Sequence, residues 1–175
     1  CMNLRYIGAM MVVVRSLIAG LNLIVRRASG HPLADVDTPL RFAAMVPLQV
    51  YNTFQIPEEK EKLKQTEILI IGGGAVDKAL EEEIRNLPNA VYSTYGMTET
   101  LSHIALRRLN GAVASDRYYP FSSVELSLSS EDTLMINAPL VCDETLQTND
   151  IARIYPDGSF TILGRKDNVI NSGGI

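Results

Sequence analysis

The chain has 175 residues and a formal net charge of −4, and 46% of its residues are hydrophobic and 21% charged. This composition is typical of a folded globular protein and excludes intrinsic disorder as a description of the whole chain. The acidic balance is unlike that of a protein that binds nucleic acid or an anionic membrane surface, so we expect neither partner. A ligand that carries phosphate would have to be held by a local positive pocket.

The two cysteines, Cys1 and Cys142, are too few for a disulfide framework, which favours a reducing compartment and a cytoplasmic location. The apolar residues 10–25 include Arg15 and Asn22, and an unpaired arginine in lipid is costly. We therefore predict a buried helix over residues 7–23 and a strand over residues 23–25, and no membrane span. A chain that starts at Cys1 and stops just after a Gly-Gly pair is expected to be an excerpt of a longer protein.

The next part of the sequence predicts a parallel α/β layer. Short apolar runs bounded by glycine or proline are typical of buried strands, and they alternate here with segments of helical character. The helix after the clearest strand has Val76, Leu80, Ile84 and Leu87 on one side, with Asp77 in its first turn. The predicted strands are residues 41–46, 67–71 and 90–93, and the predicted helical segments are residues 48–54 and 57–63 and the one that follows Gly74.

Beyond about Asn110 the pattern changes to one that predicts antiparallel β-structure. Apolar and polar residues alternate over residues 124–129, which is typical of a half-buried strand. The sequence Pro156-Asp157-Gly158 predicts a hairpin turn between strands at residues 151–155 and 159–163. The expected fold class is therefore α/β: a parallel layer followed by an antiparallel, barrel-like subdomain.

Several common catalytic motifs do not fit the chain. The glycines at residues 72–74 follow a strand, but a dinucleotide-binding fingerprint would need glycine where Asp77 stands, which disfavours an NAD-dependent oxidoreductase. No Walker phosphate loop and no G-x-S-x-G hydrolase motif occurs. His31 and His103 lack the spacing of metal ligands relative to each other and to the cysteines.

Four short motifs do occur, in one order along the chain: G-G-G-A at residues 72–75, Y-G-M-T-E at 95–99, T-N-D at 148–150 and G-R-K-D-N-V-I-N-S-G-G at 164–174. Together they resemble the acyl-adenylate-forming superfamily of acyl-CoA synthetases, luciferases and peptide-synthetase adenylation domains. The phrase V-V-R-S-L-I-A-G-L-N-L-I and the short spacing between the first two motifs are similar to the branch that ligates o-succinylbenzoate to CoA in menaquinone biosynthesis.

The resemblance implies an excerpt of the large N-terminal domain of an AMP-forming acid–CoA ligase, with an α/β subdomain over residues 1–110, incomplete at its N-terminus, and a β subdomain over 111–164. Residues 165–175 would begin a hinge to a further C-terminal domain. The implied reaction joins a small-molecule carboxylate to CoA through an acyl-adenylate, with ATP, magnesium and CoA required. Strand edges exposed by such an excerpt would favour a homo-oligomer or other partner chains.

Family positions imply that Thr98 and Glu99 are catalytic, with Thr98 donating to a phosphate oxygen and Glu99 binding magnesium. The alternative is that Thr98 and Glu99 form the N-terminal capping pair of a helix. Asp167 falls where the family has its hinge residue. Candidates for the acyl pocket are Gly74, Met97 and Leu101.

The same resemblance places Tyr95 against the adenine, Asp150 on both ribose hydroxyls and Arg165 beside them. The alternatives are that Tyr95 is a core tyrosine and that Asp150 and Arg165 form a surface ion pair. The chain departs from the family at Asn149, where glycine is usual; asparagine tolerates a left-handed backbone better than most residues. The glycines expected to contact the nucleotide are Gly73, Gly74 and Gly96.

Three alternatives to o-succinylbenzoate ligation remain: another carboxylic acid, an amino acid, or a catalytically inactive fragment that binds nucleotide. The Ser/Thr/Gly-rich phosphate loop and the C-terminal lysine of the family do not occur in the sequence. We therefore expect activity from a longer parent protein, and none from this excerpt alone.

Overall fold

The computed structural model describes residues 3–167, which form two compact units. The first contains residues 3–93 and 109–113, and the second contains residues 94–108 and 114–167. The elements in chain order are α1 (Ile7–Ile18), β1 (Phe42–Met45), α2 (Pro47–Gln55), α3 (Pro57–Lys64), β2 (Ile68–Ile71), α4 (Lys78–Ile84), β3 (Ala90–Gly96), β4 (His103–Arg108), β5 (Tyr119–Pro120), β6 (Glu125–Leu128), β7 (Thr133–Asn137), β8 (Leu146–Ile154) and β9 (Phe160–Arg165).

The first unit contains the predicted parallel layer. Its strands lie in the order β1-β2-β3, and both neighbouring pairs are parallel. Helices α2 and α3 each begin at a proline, which fits the first helical position because the amide that proline lacks has no partner there. Residues from β1, β2, β3 and helices α2, α3 and α4 form one apolar core, in which Leu63, Leu69, Ile71, Ile84 and Val91 are fully buried.

Helix α1 differs from its prediction. It ends at Ile18 because Gly20 has a φ of +62° and the amide of Leu21 donates to the carbonyl of Ser16 at 2.8 Å, which together terminate a helix. The helix itself is present over Ile7–Ile18, but only its Ala9 and Ser16 are buried, so the prediction that it is buried is wrong. Residues 23–25 are not a strand, since no described strand supplies a hydrogen-bonding partner for them.

Over residues 3–167, no helix has both the length and the apolar character that a membrane crossing requires.

The described strand pairs of the second unit are antiparallel, and those beyond Asn110 confirm the antiparallel structure predicted there. Strands β4 and β5 pair with each other, and β6-β7-β8-β9 form a four-stranded sheet with irregular register in β7–β8 and β8–β9, which bends such a sheet. The hairpin turn predicted at residues 156–158 joins β8 to β9, and Gly158 has a φ of +79°. Phe160, Leu134 and Ile136 are completely buried in the core of this unit. The predicted fold class is thus confirmed, although β4, β5 and β7 were not predicted individually.

Candidate functional site

Three of the predicted nucleotide-binding residues meet in the second unit. The hydroxyl of Tyr95, near the end of β3, donates to Oδ2 of Asp150 at 2.5 Å, and Nη1 of Arg165 donates to Oδ1 of the same carboxylate at 3.2 Å. Asp150 and Arg165 lie opposite each other on the antiparallel strands β8 and β9, which aligns their side chains. The carboxylate of Asp150 therefore joins three strands at one point.

The Asp150 carboxylate is well placed to accept further hydrogen bonds. Its side chain is 13% exposed, which argues against the alternative of an ordinary surface ion pair. Each oxygen receives one donor, from Tyr95 or Arg165, while a carboxylate oxygen can accept two. One acceptor site on each oxygen is thus available for a pair of adjacent hydroxyl groups.

The ring of Tyr95 belongs to the core of the second unit. It makes an edge-to-face contact with Phe160 at 5.2 Å between centroids and a tilted contact with Tyr118 at 5.8 Å. This supports the core-tyrosine alternative, while the hydroxyl reaches Asp150 at the same time. Burial, followed by the hydrogen bond to Asp150, raises the pKa of Tyr95 well above its ordinary value, so the phenol remains a donor.

Arg165 also binds Asp167, the predicted hinge residue. Nε and Nη2 of the guanidinium donate to the two oxygens of Asp167 at 2.9 and 2.7 Å. These hydrogen bonds are the main cause that raises the pKa of Arg165 above its ordinary value. Asp167 is the last described residue, and the rest of the predicted hinge, residues 168–175, lies outside the described residues.

Thr98 and Glu99, the predicted catalytic pair, are both exposed in a loop that joins β3 to β4. The alternative that they cap a helix is wrong, because the chain passes from this loop directly into β4. Within residues 3–167, no group of three or more His, Cys, Asp or Glu side chains could hold a metal ion.

The hydroxyl of Thr100 organises this loop, a role that the sequence analysis missed. It accepts from the amide of Met97 at 3.0 Å and lies 2.7 Å from the carbonyl oxygen of Ser102, to which it can donate. Thr100 is only 2% exposed, whereas Leu101 is 47% exposed with a left-handed φ of 59°. Met97 packs against the core of the second unit, so the two pocket candidates Met97 and Leu101 have different environments.

Gly96 has a packing role in the same loop. A Cβ at this position would overlap the backbone oxygen of Ser102 and would lie 2.5 Å from the Cα of His103. Only glycine therefore allows the loop to return so closely to the end of β3.

The glycines of the first motif lie in the first unit, in the loop after β2. The amide of Gly72 donates to the carbonyl of Met45 at 3.1 Å, and Gly73 has a φ of +79°, which a side chain would disfavour. Gly74 follows in the same loop. Asp77, the residue that excludes the dinucleotide fingerprint, caps α4: its Oδ1 accepts from the amide of Leu80 at 2.9 Å.

Comparison with solved structures shows that this chain has the fold of the N-terminal domain of adenylating enzymes. A structure of an acyl-CoA synthetase (AMP-forming)/AMP-acid ligase II-like protein from Dyadobacter fermentans matches with a TM-score of 0.83 and 36% identity, over 100% of this chain and 50% of that chain. The o-succinylbenzoate CoA synthetase of Bacillus subtilis, solved with ATP and magnesium ion, matches with a TM-score of 0.73 and 21% identity, over 99% of this chain and 42% of that chain.

Among curated proteins, a 2-succinylbenzoate–CoA ligase from Geobacillus sp. (strain WCH70) is 24% identical over 198 residues, which covers 97% of this chain and 40% of the ligase. No family model matches the chain. These relatives confirm the predicted resemblance to the acyl-adenylate-forming superfamily. The chain spans half or less of the length of the relatives that it matches.

The clash at Gly96 predicts a loss of stability on adding one methyl group. Gly96→Ala should lower the free energy of unfolding by about 2 kcal/mol or more, since backbone must move. Gly164→Ala is the matched control, because a Cβ there has no atom within 4 Å, and it should change stability by less than about 1 kcal/mol. Urea denaturation measures both, and equal stabilities of the two variants would contradict the packing role.

The partly buried phenol of Tyr95 predicts that the stability of the protein depends on pH in the alkaline range. Tyr95→Phe removes the hydrogen bond to Asp150 and should lower the free energy of unfolding by about 1–3 kcal/mol near neutral pH. Because folding raises the pKa of Tyr95, its stabilising contribution is complete below the unfolded-state pKa of about 10 and is lost as pH rises beyond it. The free energies of unfolding of wild type and Tyr95→Phe should therefore approach each other above pH ~10. Urea denaturation over a series of pH values measures this, and a constant difference in the free energy of unfolding up to alkaline pH would contradict the role of the Tyr95 phenol.

Proposed function

We propose that this chain is part of an AMP-forming acid–CoA ligase that activates a carboxylate, o-succinylbenzoate, as an acyl-adenylate and transfers it to CoA in menaquinone biosynthesis. The observation that carries the proposal is the contact of Tyr95 and Arg165 with the carboxylate of Asp150. A carboxylate with one acceptor site available on each oxygen suits the two adjacent hydroxyls of a ribose. Ribose is present in both the ATP substrate and the adenylate intermediate.

The charges around Asp150 favour the neutral hydroxyl groups of a nucleotide over a negatively charged group at this position. Arg165 is shared between Asp150 and Asp167, so the local charge is one cation with two carboxylates. Such a site suits neutral hydroxyl donors, and the phosphates would have to bind elsewhere. Thr98 and Glu99, both exposed after β3, are proposed for that role, with Glu99 as the magnesium ligand.

The substrate and cofactors rest on the relatives. Two curated relatives are named 2-succinylbenzoate–CoA ligase, and the Bacillus subtilis synthetase was solved with ATP and magnesium ion. We propose ATP, magnesium and CoA as the requirements of this protein. For the acyl group we propose Gly74, Met97 and Leu101, and for the backbone contacts of the nucleotide Gly73, Gly74 and Gly96.

The alternative of a catalytically inactive nucleotide-binding fragment predicts a different outcome. The Asp150 cluster lies wholly within the second unit, so binding of AMP could persist where adenylation does not occur. Activity must therefore be measured as a chemical step and not inferred from binding.

The proposed function is tested by acid-dependent ATP–pyrophosphate exchange in the longest natural protein that carries this sequence, with magnesium. The acids to compare are o-succinylbenzoate, benzoate, fatty acids and amino acids. Exchange driven selectively by o-succinylbenzoate is the expected result. Selective exchange with another acid would contradict the substrate, and no exchange with any acid would contradict the ligase function.

The same assay tests the role of Glu99. Glu99→Gln should lower the exchange rate by about a hundredfold or more, because a carboxylate that holds magnesium against the phosphates acts mainly on the charge of the transition state. Binding of AMP, measured by calorimetry, should change by less than about twofold, since no metal-bridged phosphates are involved. Glu144→Gln, at another exposed glutamate of the second unit, is the control. Equal losses of exchange and AMP binding would rule out the magnesium role.

A further inference from the structure

Asn149 lies next to the Asp150 cluster and contacts the end of β9. Its Nδ2 donates to Oδ2 of Asp167 at 3.0 Å, and its backbone carbonyl accepts from the amide of Lys166 at 2.8 Å. The residue is exposed, so its side chain does not fill a core. The resemblance to the superfamily implies glycine here, and glycine has no side-chain donor.

Asp167 in turn fixes the orientation of Arg165. The guanidinium binds Asp167 through Nε and Nη2, one edge of its planar fork, at 2.9 and 2.7 Å. Because the group is rigid, fixing that edge also fixes the direction of Nη1, which donates to Asp150 at 3.2 Å. The bonds therefore form a continuous path from Asn149 through Asp167 and Arg165 to Asp150.

We expect the hydrogen bond from Asn149 to help hold Asp167 in place, because the ion pair of Asp167 with Arg165 is partly exposed to water. The side chains of Arg165 and Asp167 are 32% and 29% exposed, and partly exposed pairs of this kind compete with solvent. Asn149 adds a third donor to the Asp167 carboxylate. The Nζ of Lys166, the residue between Arg165 and Asp167, donates instead to Glu131 at 2.6 Å.

We propose that Asn149 is a positioning residue for the nucleotide: it holds Asp167, and Asp167 holds Arg165 in the orientation that reaches Asp150. This inference rests on the proposed nucleotide site at Asp150. It differs from that proposal because Asn149 itself touches neither the Asp150 carboxylate nor its ligand. A protein with glycine at this position would lack the contact.

Two variants and one matched control test the inference. Asn149→Ala removes the donor, and Asn149→Asp replaces it with a second carboxylate that repels Asp167. Asn137→Ala is the control, because Asn137 also donates to a carboxylate, Glu125 at 3.3 Å, in the same sheet. The first measurement is hydrogen exchange of the Arg165 Nε proton by NMR, without nucleotide. The second is the dissociation constant of AMP.

Both Asn149 variants should speed exchange of the Arg165 Nε proton and weaken AMP binding by roughly threefold to tenfold, the range of one hydrogen bond, with the aspartate variant more affected. The Asn137 control should match wild type in both. Unchanged exchange at Arg165 in both variants would overturn the inference, as would unchanged AMP affinity. A wild-type protein that does not bind AMP would instead contradict the proposed function, and the Arg165 signal would still show separately whether Asn149 holds Asp167.

Discussion

The carboxylate of Asp150 is the interaction on which the candidate site depends. A carboxylate that is 13% exposed needs donors to offset its loss of hydration, and Tyr95 and Arg165 provide them. These donors come from the end of β3 and from β9, while Asp150 lies on β8. Loss of this one side chain would leave a partly buried phenol and a guanidinium edge without their shared acceptor.

The aromatic cluster explains why the phenol of Tyr95 is so well placed. Phe160, the first residue of β9, is fully buried and contacts the rings of both Tyr95 and Tyr118. The hydroxyl of Tyr95 therefore projects from a fixed ring, so the hydrogen bond to Asp150 requires little loss of side-chain freedom. Tyr95 can therefore be both a core residue and a binding-site residue, because its ring packs in the aromatic cluster while its hydroxyl reaches Asp150.

Local patterns predicted the parts of the fold that depend on local physics. The apolar run of β2 and the hairpin turn at residues 156–158 were predictable because buried strands and proline-glycine turns have short sequence signatures. The absence of a strand at residues 23–25 was not predictable, since a strand forms only where a partner strand exists. Helix α1 was predicted to be buried on its composition, but composition does not report what packs against it.

The candidate site shows the same division. The family resemblance carried by the four motifs implied that Tyr95, Asp150 and Arg165 act together, and the structure places Tyr95 and Arg165 in contact with Asp150. Thr100 could not be found in this way, because its role depends on how the loop folds back and not on its neighbours in sequence. Asn149 was noticed only as a departure from glycine, and its bond to Asp167 becomes visible only when β8 and β9 pair.

We propose that Asp150 holds a ribose through both hydroxyls. This proposal is tested most directly by comparing the affinities of AMP and 2′,3′-dideoxyadenosine monophosphate by calorimetry, for wild type and for Asp150→Asn. Wild type should bind the dideoxy compound at least about tenfold more weakly, because two hydrogen bonds to a charged acceptor are lost. The Asp150→Asn variant should discriminate far less between the two. Equal affinity of wild type for both nucleotides would contradict a ribose site at Asp150.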